Sequence, residues 1–168
     1  MKKLMLKVVF LIVPLISFWG CQNTIDELSE SEKDTIVKEV SQVFEEGMIA
    51  ANRHDEEAMM QVHWNSKEYI AAIDGYLIKG WEGTNEAVTY IHSNPKYQSF
   101  TVNHEELIVK VLSVDAAIVT ASGNLNNVPT SEGLKSTKFV VTMLMEKIDG
   151  KWLKTVVHES TQEDLFKQ

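Results

Sequence analysis

The residue pattern changes from helical to β near Tyr97, and this change constrains the fold more than any other feature of the chain. Before it, apolar residues recur at steps of three and four, as on one face of an amphipathic helix. After it, apolar runs alternate with short turn signals as far as Ser160. Helical segments therefore precede a long run of strands. This order predicts an α+β domain with helices packed on one face of a curved, mostly antiparallel sheet.

Three helices and one hairpin are expected in the first part of the chain. The first helix spans residues 32–52, and Asp55 is expected to cap a second helix over residues 56–63. Two strand-like runs, 68–73 and 76–79, flank Asp74-Gly75, which is a typical hairpin turn. A third helix follows, with Thr84 as its expected cap and Asn94-Pro95 as its end.

Five strands are expected in the second part, at residues 98–102, 104–114, 116–126, 136–147 and 151–160. Their joints are predicted at residues 113–115, at residues 126–129 with Gly133, and at Asp149-Gly150. The apolar positions of the helices and strands predict a core that includes Ile36, Val40, Phe44, Met48, Val119 and Val141.

Cys21 is the only cysteine, and it follows an apolar stretch over residues 8–18 with three lysines before it. This layout is typical of a secretory signal peptide, because the stretch is too short to span a membrane. The Gly20-Cys21 pair resembles the lipobox of bacterial lipoproteins, which implies lipidation of Cys21 and attachment to a cell-envelope membrane. Phe18 and Trp19 depart from the usual lipobox residues. A plain signal peptide and an uncleaved anchor are the alternatives.

These features predict a signal peptide at residues 1–20, a polar tether at 21–31 and one domain at 32–168. Removal of the leader and its three lysines leaves 13 basic and 24 acidic residues, a net charge of −11. Such a chain repels phosphate backbones, so no nucleic-acid partner is expected. If Cys21 carries lipid, the chain has no thiol left for a disulfide, a cysteine zinc site or a cysteine nucleophile.

Several segments, in this order, resemble the nuclear transport factor 2-like superfamily, and specifically its small bacterial SnoaL-like (polyketide-cyclase-like) branch. They are the helix join at residues 51–58, Asp74-Gly75 followed by Gly80 and a helix, and residues 149–152 with His158 and Ser160. The resemblance covers residues 35 to 160. It implies a cone-shaped domain in which three N-terminal helices pack on a strongly curved sheet, with a pocket between them. Members of this fold include isomerases, cyclases, dehydratases, binding domains and assembly domains.

The resemblance places certain side chains around the mouth of the cone. The implied ligand-binding residues are Trp64, Tyr69, Trp81, Thr142, His158 and Ser160. Strand alternation puts Trp152, Val156, His158 and Ser160 on one face of the last strand. His158 is the candidate acid or base. The alternatives are that the aromatic residues close the core and that His158 and Ser160 only bond to neighbouring backbone.

No cofactor or metal is expected, because the five histidines show no ligand spacing and no glycine-rich phosphate loop is present. The isomerase mechanism of the superfamily is also not expected here. It requires a tyrosine–aspartic acid oxyanion hole, whereas the first helix has no tyrosine and residues 139–145 contain no acid.

Three functions follow from these features. The first is a membrane-anchored lipoprotein that binds a small, largely apolar molecule without catalysis. The second is an acid–base enzyme, of isomerase, cyclase or dehydratase type, that acts on such a molecule through His158. The third is a homodimeric assembly module, which requires an exposed apolar face on the sheet.

Overall fold

The computed structural model describes residues 28–93, 99–130 and 133–162 of the chain. The predicted leader, Cys21 and most of the predicted tether lie outside the described residues. The helices are α1 Glu30–Arg53, α2 Glu56–Gln61 and α3 Gly80–His92. The strands are β1 Ile70–Ile73, β2 Tyr76–Lys79, β3 Ser99–Val102, β4 Ile108–Ser113, β5 Ala116–Thr130, β6 Gly133–Ile148 and β7 Lys151–Thr161.

Helix α1 begins two residues before the predicted position because Ser29 caps it. The Ser29 hydroxyl accepts a hydrogen bond from the Glu32 backbone N–H, and the Glu32 carboxylate accepts one from the Ser29 backbone N–H. The predicted apolar face of α1 is buried against the sheet, apart from Val43 and Met48, which are half-buried. His54 ends the helix in a left-handed conformation, and Asp55 caps α2 as predicted.

The strands form one seven-stranded sheet in the order β2-β1-β7-β6-β5-β3, with β4 also paired to β5. All named strand pairs are antiparallel except β1 with β7, which is parallel. Both Asp-Gly pairs lie in the predicted two-residue hairpin turns, with positive φ at all four residues. The predicted α+β class, with N-terminal helices packed on a curved and mostly antiparallel sheet, is confirmed.

Three predicted element boundaries need correction: two concern strands, and the third, at the start of α3, is described in the next paragraph. Residues 126–129 are not a joint, because β5 continues to Thr130 with a bulge in which Asn127 takes a left-handed conformation. The strand predicted over 104–114 begins only at Ile108, since Asn103 caps a short 3₁₀ turn at His104–Glu106.

Thr84 is not the cap of α3, which begins four residues earlier at Gly80. Gly80 has a φ of 78°, a conformation that glycine adopts readily and that turns the chain directly from β2 into the helix. The Thr84 hydroxyl lies one turn inside and donates to the Gly80 carbonyl oxygen. The predicted end at Asn94-Pro95 falls outside the described residues.

The core lies between α1 and the concave face of the sheet. Five of the six predicted core residues are buried, and Met48 is half-buried against them. Gly123 lets β3 lie very close to β5, because a Cβ at this position would overlap the carbonyl oxygen of Thr101. No helix within the described residues has both the length and the apolar character needed to cross a membrane.

Candidate functional site

A small cavity lies between the helices and the concave face of the sheet. Its volume is about 70 Å³, whereas sites for drug-sized ligands occupy about 300–1,000 Å³. Helices and strands both supply apolar side chains to its wall, namely Met48, Met59, Ala71, Val88, Met143 and Val157. Six polar side chains line the same space, namely His63, Tyr69, Thr84, His92, Lys154 and Glu159. The cavity therefore accommodates a ligand of a few non-hydrogen atoms with at least one polar group.

A bulge in β7 directs two of these polar side chains into the cavity. Leu144 pairs with Val156 and Met145 pairs with Lys154, so Thr155 is an extra residue that is not paired with any residue of β6 in the strand register. Lys154 and Thr155 are consequently both buried, and the alternation of the strand is shifted by one position beyond them. The shift turns Val157 and Glu159 toward the cavity.

Lys154 is a buried lysine, with 2% of its surface exposed. Its ammonium group packs against Gly47 of α1, where a Cβ would lie 2.9 Å from Nζ. Burial lowers the pKa of this ammonium to about 8, and the negative charge of Glu159 partly opposes that effect. Lys154 can therefore exist with or without its charge near neutral pH.

Glu159 is a cavity carboxyl whose pKa is raised to about 7. Burial is the main cause and the nearby Asp74 carboxylate adds to it, whereas the positive charge of Lys154 acts in the opposite direction. The Asp74 carboxylate is fixed in place because it accepts hydrogen bonds from the Thr161 backbone N–H at 2.7 Å and the Thr161 hydroxyl at 2.8 Å. Glu159 can thus hold or release a proton near neutral pH, as a general acid or base must.

Tyr69 and His63 join the polar cluster from the segment between α2 and β1. The Tyr69 hydroxyl is buried without a hydrogen-bond partner among the described residues, and burial raises its pKa. His63 packs edge-on against the Tyr69 ring, and its Nδ1 donates to the Met59 carbonyl oxygen at 2.8 Å. Burial lowers the pKa of His63 to about 3, so the ring is neutral and its other nitrogen is an acceptor.

His92 closes the cavity at the end of α3. Its Nδ1 lies 2.9 Å from Nδ1 of His54, which is a hydrogen bond that requires one of the two rings to be neutral. Burial lowers the pKa of His92, and the positive charge of His54 contributes in the same direction. Within the described ranges, no three His, Cys, Asp or Glu side chains are grouped so that they could hold a metal ion.

The six predicted ligand-binding residues do not lie together. Only Tyr69 lines the inner cavity. Trp81 lines an open groove of about 640 Å³ on the outer side of α2 and α3, and Trp64 is half-buried against the core.

Thr142, His158 and Ser160 lie on the convex face of the sheet, opposite the cavity. Thr142 pairs with His158, and the Thr142 hydroxyl is 3.3 Å from that of Thr120. His158 is exposed there, so it neither reaches a cavity ligand nor acts as a buried structural histidine. The bulge at Thr155 explains the correction, because alternation counted from Trp152 without it assigns His158 to the wrong face.

The sequence interpretation missed Lys154 and Glu159. The available signal was two charged residues, five positions apart, in the interior of a strand that also contains Trp152, Leu153, Val156 and Val157. Both would have been assigned to solvent, since Lys and Glu are almost never buried without a partner.

Comparison with known proteins agrees with this architecture. The model of a family described as "SnoaL-like domain" matches residues 40–162. No curated protein matches the sequence. An NTF2-like protein of unknown function from Shewanella oneidensis MR-1 is similar with a TM-score of 0.62 and 26% identity, over 74% of this chain and 98% of that protein.

Two further solved structures share the fold at lower identity. One is described as a candidate dehydratase of the NTF2-like family from Streptomyces avermitilis, with a TM-score of 0.66 and 20% identity over 76% of this chain and 96% of that one. The other is a ketosteroid isomerase-like protein from Erwinia carotovora atroseptica SCRI1043, with a TM-score of 0.61 and 18% identity over 76% and 96% of the two chains.

Proposed function

The chain belongs to the SnoaL-like domain family, and from this premise we propose that it is a bacterial cell-envelope lipoprotein whose domain binds a small, largely apolar molecule. The observation that supports binding most directly is the Tyr69 hydroxyl. It is buried beside an apolar cavity and has no hydrogen-bond partner among the described residues. Such a group is costly to bury, and a ligand oxygen or nitrogen would satisfy it.

Filling the cavity tests this proposal. Ala71 lines the cavity, whereas Ala72 is its neighbour on β1 and points to the other face of the sheet. The added side chain of Ala71→Leu should occupy the ligand space. Native mass spectrometry of the purified protein should then show a bound small molecule on the wild type and on the Ala72→Leu control, but not on Ala71→Leu. Equal retention by both variants would place the ligand elsewhere.

The proposed anchor is a lipid on Cys21. Three lysines, an apolar stretch and the Gly20-Cys21 pair support it. Cys21→Ser should remove the acylation site and release the protein from the membrane fraction, because stable attachment needs the several acyl chains expected at this position. Fractionation followed by immunoblotting measures this release. Complete recovery of Cys21→Ser in membranes would instead indicate an uncleaved apolar anchor.

We further propose that two copies of the domain pair through the convex face of the sheet. Paired residues on four adjacent strands form an apolar band there, namely Ile70, Val156, Leu144 and Ile118. Ile70 and Val156 are 41% and 37% exposed, and Ile108, beside the band on β4, is 61% exposed. A contiguous exposed apolar surface on a soluble domain is typical of an interaction site.

A further inference from the structure

Building on the proposed binding of a ligand in the inner cavity, we propose that this ligand is a short-chain monocarboxylate. Lys154 and the Tyr69 hydroxyl would hold its carboxylate, and the methionine and valine side chains of the wall would surround its alkyl tail.

Two donors in the cavity wall, the Lys154 ammonium and the Tyr69 hydroxyl, have no hydrogen-bond partner among the described residues. The Lys154 ammonium has three donors and no acceptor capacity. No described carboxylate lies within ion-pairing distance of it, and Glu159 acts on it only as a more distant charge. The unpartnered Tyr69 hydroxyl adds a further donor. Since buried donors without acceptors are unfavourable, the missing component is a group that accepts hydrogen bonds.

A carboxylate fits these groups better than other acceptors. An alcohol or an amide would accept hydrogen bonds but would leave the buried ammonium charge uncompensated. A carboxylate both accepts from the two donors and neutralises the charge, through short charge-assisted hydrogen bonds. Phosphate or sulfate would require more donors than Lys154 and Tyr69 provide, and the rest of the wall is largely apolar.

The neighbouring polar residues do not compete for the ligand. His63 already donates to Met59, and the Nδ1 of His92 is bonded to His54. The cavity volume of about 70 Å³ limits the acid to a few carbon atoms. The apolar wall in turn favours an alkyl tail over a second charged group.

Glu159 should make the binding depend on pH. Five titratable groups surround Glu159. Lys154 is on the same strand, Asp74 is in the β1–β2 turn, and Tyr69, His63 and His92 line the same cavity. Helix α1 adds no titratable group to the wall, because its only lining residue is Met48. Burial and Asp74 raise the pKa of Glu159 to about 7. Below that pH it is neutral, whereas above it a second carboxylate repels the ligand and competes for Lys154. Affinity should therefore fall as the pH rises through about 7.

Equilibrium dialysis of the full-length protein in nonionic detergent against carbon-14-labelled butyrate tests the inference, with empty micelles as the blank. Wild-type protein should bind butyrate saturably at about pH 6, and unlabelled butyramide and 1-butanol should not displace it. Lys154→Met should bind about tenfold or more weakly, because it loses the charged donor. Lys151→Met, an exposed lysine on the same strand, is the matched control and should bind normally.

Two further variants identify the groups involved independently of Lys154→Met. Tyr69→Phe should weaken binding about fivefold. Glu159→Gln should lose less affinity than the wild type between about pH 6 and about pH 7, because it has no carboxyl to ionise over a range in which Lys154, with a pKa of about 8, keeps its charge. Three results would each overturn the carboxylate assignment. They are a Tyr69→Phe affinity equal to that of the wild type, a Lys154→Met affinity equal to that of the wild type, and displacement of butyrate by butyramide.

Failure of the carboxylate inference can be distinguished from failure of the proposed ligand binding in the cavity. If butyrate does not bind while native mass spectrometry shows a molecule that Ala71→Leu excludes, the carboxylate inference fails and cavity binding stands. If no molecule is retained and butyrate does not bind either, both proposals fail.

Discussion

Lys154 places an ammonium group inside the domain, where loss of hydration disfavours its charge. Its pKa of about 8 in the folded protein lies below the ordinary lysine pKa of 10.5. The unfolded chain therefore binds more protons between these two values, and the stability of the wild type should increase as the pH rises from about 8 to about 10.5. At lower pH the folded state carries the full cost of the buried charge.

Replacement of this lysine by methionine should therefore stabilise the protein. Methionine has a similar length and no charge, so Lys154→Met should raise the free energy of unfolding at pH 7 by about 3 kcal/mol. This figure is the free-energy equivalent of the difference between the Lys154 pKa in the unfolded chain, 10.5, and in the folded protein, about 8. The gain should shrink as the pH approaches 10.5. Urea unfolding at about pH 7 and pH 10 measures both effects, and Lys151→Met is the exposed control. A variant less stable than the wild type at pH 7 would mean that a partner stabilises the ammonium.

The helices and hairpins could be predicted because short-range rules determine them. The apolar spacing of α1 fits a helix whose one face is buried, and the Asp-Gly pairs at residues 74–75 and 149–150 favour the turns that two-residue hairpins require. The caps are less certain even at this scale. Thr84 has the chemistry of a cap, but Gly80 allows the chain to enter the helix one turn earlier.

The binding site could not be predicted in the same way, because strand pairing determines which face each side chain occupies. The single extra residue at Thr155 reverses the orientation of every later residue in β7. It brings Glu159 into the cavity and moves His158 to the outside, although no glycine or proline in β7 indicates a bulge. The resemblance to a cone-shaped family correctly predicted a pocket beneath the helices, but the side chains that line it depend on this register.

Across the whole domain, the sheet separates two surfaces of different chemistry. Its concave face carries Lys154 and Glu159 beside the small cavity, and its convex face carries the apolar band. Strand β7 contributes to both, since Val157 faces inward and Val156 faces outward. A partner on the convex face would not contact the cavity, which lies on the opposite face of the sheet, so ligand binding and self-association are compatible within one molecule.

The proposed dimer predicts a specific response to a charge in the apolar band. Val156 is paired with Ile70 on one side and Leu144 on the other, so Val156→Lys places an ammonium in the middle of the band on each copy. Two desolvated like charges in an interface of ordinary size should convert the dimer to a monomer at micromolar concentrations. Sedimentation velocity on the chain from residue 22 onward measures the change. Ile49→Lys is the control, because Ile49 is 49% exposed on α1, which packs on the concave face and not on the convex face of the sheet. A monomeric wild type, or a Val156→Lys variant that remains dimeric, would exclude the convex face as the interface.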